Sequence, residues 1–186
     1  MHIAAGLGCS TVVEYLLGLK LSVNARDGFG NTALHYAAAS GSLSNVQCLI
    51  NGANVNAINQ ERKSPLEKAS SRGFTTGVEL LLRKGADKYL QEYDETTAAE
   101  LACQNGHLHV PKLLNQKGNS QLLYLVCVNN QLPISEFLLG RKDVDVNTPL
   151  RNSVAKSLRH IIVYYVAESS YVSIVASLIR YGANVS

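Results

Sequence analysis

Four glycines, Gly8, Gly41, Gly73 and Gly106, recur at separations of 33, 32 and 33 residues, and each ends a similar run: HIAAGLG, ALHYAAASG, PLEKASSRG and AELACQNG. A second series trails them by about twelve residues, as NGANVNA at 51–57, KGADKY at 84–89 and KGNS at 117–120. Two series in one phase define a period. A period of this length belongs to an array of small stacked units and not to one closed core.

The physics of one unit is readable. Ala37 and Ala38 are small enough to let one helix lie close to its neighbour. Gly41 ends that helix, because glycine accepts a left-handed backbone without steric cost. A second helix follows; in the third unit Val78, Leu81 and Leu82 fall at helical spacing, supported by Leu80, and Gly85 closes it. A polar stretch such as ADKYLQEYDETT returns the chain to the next unit. One helix–turn–helix of this size cannot bury its apolar face alone, whereas stacked copies can.

The second unit carries Asp27, Gly30, Thr32, Leu34, His35, Ala37, Ala38 and Gly41, then NGANVNA. The third carries SPLEKAS and LLLRKGAD, and the fourth TAAELACQNGH and LLNQKG. This resembles the ankyrin repeat family, whose pattern runs D-x-x-G-x-T-P-L-H-x-A-A, a glycine turn, a Leu-rich helix and G-A-D-V-N. The resemblance implies an all-α ankyrin-repeat solenoid of helix-turn-helix units with short hairpin loops. About six repeats are expected, at about 1–24, 25–56, 57–89, 90–118, 119–147 and 148–186.

The last two units are irregular. The turn of the fifth falls at Asn130 in QLLYLVCVNNQ, so its hairpin loop is almost absent, and PISEFLLG is its second helix. The sixth ends in SIVASLIRYGANVS but holds about six residues more than the pattern needs, giving an insertion near 148–163. Pro111 stands where Val46 and Val78 stand in earlier units, so the fourth second helix is expected to be distorted or to start late.

Composition excludes several classes. A formal net charge of +3 over 186 residues is too weak and dispersed to imply nucleic-acid binding. No apolar run is long enough for a membrane span, and MHIAAGLGCS does not read as a signal peptide. The four cysteines, Cys9, Cys48, Cys103 and Cys127, lack CxxC spacing and fit reduced thiols of a cytoplasmic protein, with the nucleus also open. No metal site and no cofactor are expected. Cys103 and Cys127 take alanine slots, where burial makes a thiol inert, and Cys9 is the one expected at the surface.

His35 raises the question of catalysis. It has no positioned acid or nucleophile in the sequence around it, and the resemblance makes it the structural His of the TALH motif, so no enzyme activity is expected. His107 and His109, two apart on a helix, face different directions and make a poor metal pair. Asn24, Asn56 and Asn147 occupy the loop slot of the pattern and are expected to hydrogen-bond local backbone.

In the family, partners bind a concave face formed by loops and first helices. The resemblance carries that face onto Arg26, Phe29, Asn31 and Tyr36 in the second unit, Glu61, Lys63, Lys68 and Arg72 in the third, and Tyr93 and Asp94 in the fourth. Phe29, Tyr36 and Tyr93 are the expected exposed aromatic anchors, with Lys68 and Arg72 a basic spot one turn apart. A second candidate is the insertion, whose Arg151, Lys156, Arg159 and His160 would suit an anionic lipid or phosphate. The expected function is a protein–protein interaction scaffold whose partner is another protein, acting as a monomer or as part of a larger chain. The alternative is a targeting array of a multidomain enzyme, channel or bacterial effector. HIAAG starts inside the motif and YGANVS stops where a further unit would start, which points to a piece of a longer protein or to an array whose ends pack on other segments.

Overall fold

The computed structural model describes residues 1–90, 96–107, 109–114, 120–142, 144–147 and 171–183. The chain divides into two compact bodies, Met1–Leu114 and Asn115–Ser186.

In the first body four helix pairs follow one another: α1 (His2–Gly6) with α2 (Ser10–Gly18), α3 (Ala33–Ser40) with α4 (Leu43–Ile50), α5 (Pro65–Arg72) with α6 (Thr75–Arg83), and α7 (Ala98–Gln104) with α8 (His109–Leu114). The first helices pack on one another in order, α1 on α3, α3 on α5 and α5 on α7, and the second helices do the same. Two layers result, each element touching its pair and its sequence-equivalent neighbours. Leu34, Leu49, Leu66, Leu81 and Leu114 are fully buried between them. Each contributes roughly 1.5–3 kcal/mol by leaving water. Ala37 and Ala38 are wholly buried, which is the close approach their size permits.

Local chemistry sets the helix limits. Thr32, Ser64 and Thr97 cap α3, α5 and α7 in extended backbone, and the residue three positions on returns the bond to the cap's own N–H. These reciprocal boxes satisfy donors that a helix start leaves open. Gly41 and Gly73 end α3 and α5 at φ 75° and 72°, where a side chain is strained. Both are also crowded from outside: the Arg72 guanidinium lies 3.3 Å from where a Cβ on Gly41 would stand, and a Cβ on Gly73 would collide with the His107 ring. Pro111 lies in the first turn of α8, where the N–H it lacks has no partner inside the helix, and it is buried.

In the second body α9 (Ser120–Val128) packs on α10 (Leu132–Leu139), and α10 on α11 (Val172–Arg180). Asn130, at φ 52°, makes the turn between α9 and α10. Pro133 sits in the first turn of α10. Tyr171 ties α11 to α9 by donating its hydroxyl to the Val128 carbonyl at 2.9 Å.

Asn24, Asn56 and Asn147 do more than the sequence led us to expect. Their side chains reach the closing loop of the next helix pair instead of local backbone. Asn24 Nδ2 donates to the Gly52 carbonyl at 3.1 Å while its Oδ1 accepts from the Asn54 amide at 2.7 Å. Asn56 repeats this on Gly85 at 3.1 Å and Asp87 at 2.8 Å, and Asn147 donates to Gly182 at 3.1 Å. At Asn56 and Asn147 the residue two before the slot already makes the local turn: Asn54 and Asp145 each accept from the amide two residues on, as Asp87 does ahead of Tyr89. That leaves the Asn amide, with a donor at one end and an acceptor at the other, to bridge. Tyr89 occupies this slot in the third unit and cannot do so.

Candidate functional site

On the face built from the hairpin loops and the first helices of the second and third units, His35 is the side chain with the chemistry of a general base. Thr32 donates its backbone N–H to His35 Nδ1 at 3.1 Å, and its hydroxyl lies 2.9 Å from the same nitrogen. A backbone N–H can only donate, so Nδ1 is unprotonated and the proton sits on Nε2. Nε2 then donates to the Lys63 carbonyl, 3.0 Å away in the next unit. Burial, with Lys68 and Arg26 nearby, lowers the imidazole from 6.5 to about 4 in spite of that bond. The ring is buried, neutral and fully occupied. Glu67 and Glu100 fill the same slot in the next two units and close the same box, but a carboxylate cannot donate onward as Nε2 does. A cavity of about 60 Å³ beside it, lined by Asn31, His35, Tyr36, Ala39 and Lys68, has room for water and not for a substrate.

The hairpin loops are sewn together. Asp27 Oδ1 accepts from the amides of Phe29 and Asn31, both at 2.9 Å. The Gln60 amide donates to the Phe29 carbonyl at 3.0 Å, and Arg26 Nη1 donates to the carbonyls of Gly30 at 3.2 Å and Ile58 at 2.6 Å. Asn59 Nδ2 donates to Asn31 Oδ1 at 2.9 Å. Phe29 therefore has both backbone polar groups fixed while its side chain is 70 % exposed.

The expected contact residues divide in two. Arg26, Asn31 and Tyr36 are engaged in holding the loops. Tyr36 is half-buried and not an exposed anchor: its hydroxyl donates to Asp27 Oδ2 at 2.6 Å and its ring meets His2 edge-on at 5.9 Å. That bond lowers the Asp27 carboxyl and raises the Tyr36 phenol. Phe29, Glu61, Lys63, Lys68 and Arg72 remain at the surface or half-buried, but the basic spot is shared with an acid, since Glu61 Oε2 lies 3.6 Å from both Lys63 Nζ and Lys68 Nζ. Tyr93, Asp94, Arg151, Lys156, Arg159 and His160, and with the last four the insertion near 148–163, lie outside the described residues.

All four cysteines are free thiols. Cys9 is exposed, while burial pushes Cys103 and Cys127 up to about 12, with Glu100 adding to the first. His107 precedes α8 and its Nε2 lies 3.0 Å from the Ser71 carbonyl; His109 is exposed. Among the described residues no three His, Cys, Asp or Glu side chains cluster to hold a metal, and no helix is long and apolar enough to cross a membrane. The sequence reading missed Ile3 on α1, Leu7 just after it and Tyr15 on α2, all strongly exposed. The 33-residue register between Gly8 and Gly41 was the signal that would have found them.

Residues 1–92 match the family model for ankyrin repeats in three copies. The ankyrin repeat protein nuc-2 of Neurospora crassa is 29 % identical over 157 residues, covering 79 % of this chain and 15 % of that protein. The B-cell lymphoma 3 protein homolog of Mus musculus is 36 % identical over 104 residues, covering 55 % and 23 %. The chain thus spans less than a quarter of either relative. The crystal structure of the human ASB11 ankyrin repeat domain superposes with a TM-score of 0.81 at 25 % identity, covering 98 % of this chain and 83 % of that one. Repeats of this kind mediate protein–protein interaction and are typically non-catalytic. With the periodic glycines, the capping boxes and the stacked helix pairs, these matches establish that the chain belongs to the ankyrin repeat family and has its helical solenoid fold.

Proposed function

We propose that the protein is an interaction scaffold whose partner, another protein, docks on the loop-and-first-helix face of the second and third units, with Phe29 as its anchor. The carrying observation is that Phe29 is a large exposed aromatic on a backbone already locked by Asp27 and Gln60. An aromatic held in place loses little freedom on binding, which is what makes such residues dominate interfaces. Lys68, Arg72 and the Glu61 pair lie in the next unit and supply a polar rim. We read the chain as six units, the sixth enlarged. The 35 residues between Asn147 and Gly182, against 28 and 29 for the equivalent earlier bridges, support the extra length. A targeting array inside a larger protein is the second reading, supported by the small share of each curated relative that the chain spans.

The test is a binding titration against a partner first captured and identified with the intact chain. Phe29→Ala should weaken binding by about tenfold or more, with an unchanged circular dichroism spectrum, while Gln47→Ala on the exposed side of α4 should leave it unchanged. Equal affinity for Phe29→Ala and the intact chain rejects the face.

A further inference from the structure

We propose that the partner of the loop-and-first-helix face is an acidic peptide segment, which sets one or two carboxylates against Lys68 and Arg72 while an apolar residue meets Phe29. This rests on the docking face proposed above and adds to it the charge of what docks there.

Most acids of this face are already committed. From Ala25 to Arg72 the chain carries five cations, Arg26, Arg62, Lys63, Lys68 and Arg72, and three acids, Asp27, Glu61 and Glu67. Asp27 accepts from the amides of Phe29 and Asn31 and from the Tyr36 hydroxyl. Glu67 is buried and accepts from the Ser64 amide in the cap of α5. α3 contributes no Asp, Glu, Lys or Arg. That leaves Glu61 as the acid that meets the lysines.

Glu61 shows what those lysines take. Its Oε2 lies 3.6 Å from Lys63 Nζ and 3.6 Å from Lys68 Nζ, so a carboxylate already sits between two ammonium groups. The arrangement is loose. The Glu61 side chain is 65 % exposed, and exposed ion pairs contribute little. A carboxylate brought by a partner can therefore take the same place at small cost. Two ammonium groups on one carboxylate also leave a positive charge over. Arg72, exposed and one turn along α5 from Lys68, adds to it. Lys68 lines the small recess with Asn31, His35, Tyr36 and Ala39, so among the described residues no acid shares that wall with it. A basic segment would meet like charge here, which is how such a face rejects a wrong partner. The next hairpin of the sequence is acidic, with Glu92, Asp94 and Glu95, and lies outside the described residues. The positive excess is that of the second and third units, and it suits one or two carboxylates and not a long acidic run.

The probe is a displayed library of random peptides, selected on the whole chain and sorted by loss of binding to Phe29→Ala. Peptides that depend on Phe29 should carry more Asp and Glu than Lys and Arg. Synthesised and titrated, they should bind the double variant Lys68→Gln, Arg72→Gln about tenfold more weakly. They should bind Glu61→Gln about two- to fivefold more tightly, because the competing carboxylate is gone. Added salt should weaken their binding to the intact chain. The three substituted side chains are exposed or half-buried, so circular dichroism should be unchanged throughout. Phe29-dependent peptides that are neutral or basic, or a Glu61→Gln chain that binds acidic peptides no more tightly, overturn the charge assignment and leave the face standing. A library that yields no Phe29-dependent peptide overturns the face, and this inference with it.

Discussion

Acid should destabilise this array through His35, and by an amount that can be worked out. Folding lowers the imidazole from 6.5 to about 4, chiefly by burial. The folded chain therefore refuses a proton that the unfolded chain accepts. The stability this represents is fully present above about pH 6.5, is lost progressively as the pH falls, and is gone at the folded value near 4. Two-state linkage with those two values gives a loss of about 2 kcal/mol between pH 7 and pH 5, and about 3 kcal/mol at pH 4. Two kcal/mol is of order 4–8 °C in the melting temperature of a chain this long.

The control is His35→Gln. A glutamine in this slot still offers an oxygen to the Thr32 amide and an N–H to the Lys63 carbonyl, the two bonds His35 makes, but it does not titrate. The other four histidines and all carboxylates are common to both proteins, so their contributions cancel in the difference. Urea unfolding at pH 7 and pH 5 should show the native chain losing about 2 kcal/mol more than the glutamine variant. An NMR titration of the His35 ring should find its midpoint near 4. Parallel pH dependence in the two proteins, or a ring that titrates near 6.5, would refute the burial argument.

Asn56→Ala should cost about 1–3 kcal/mol, because it removes bonds to the Gly85 carbonyl and the Asp87 amide together, and exchange at the Asp87 amide should speed up. Gly73→Ala should destabilise by more than the roughly 1 kcal/mol of a left-handed alanine, since its methyl would collide with the His107 ring; a thermal melt reads it. At pH 7.5 iodoacetamide should label exposed Cys9 well before Cys103 and Cys127, whose thiols are held near 12; mass spectrometry of timed samples that found the order reversed would contradict their burial.

The fold was legible because a repeat states the same constraint several times. Gly41 and Gly73 needed positive φ, and nothing else in the sequence recurs so regularly. Direction was harder to read. A slot says which residue is variable but not whether it points to solvent or to the unit behind. Tyr36 and Asn31 were assigned outward and instead hold the loops, because Asp27 and Asn59 are close enough to bond them. Asn56 was assigned to a local turn, yet the Asn54 side chain had already taken that turn.

Exposed residues are likewise unequally legible in the sequence. Phe29 is visible as an aromatic in a loop, and its role depends on a rigidity that only the bonds from Asp27 and Gln60 supply. Ile3, Leu7 and Tyr15 look like ordinary helix residues, and nothing in their own unit marks them. They acquire meaning only when Tyr36, Ser40 and Cys48, one period on, are seen touching the pair behind. In an array the function of a position is thus fixed by the neighbour it would meet.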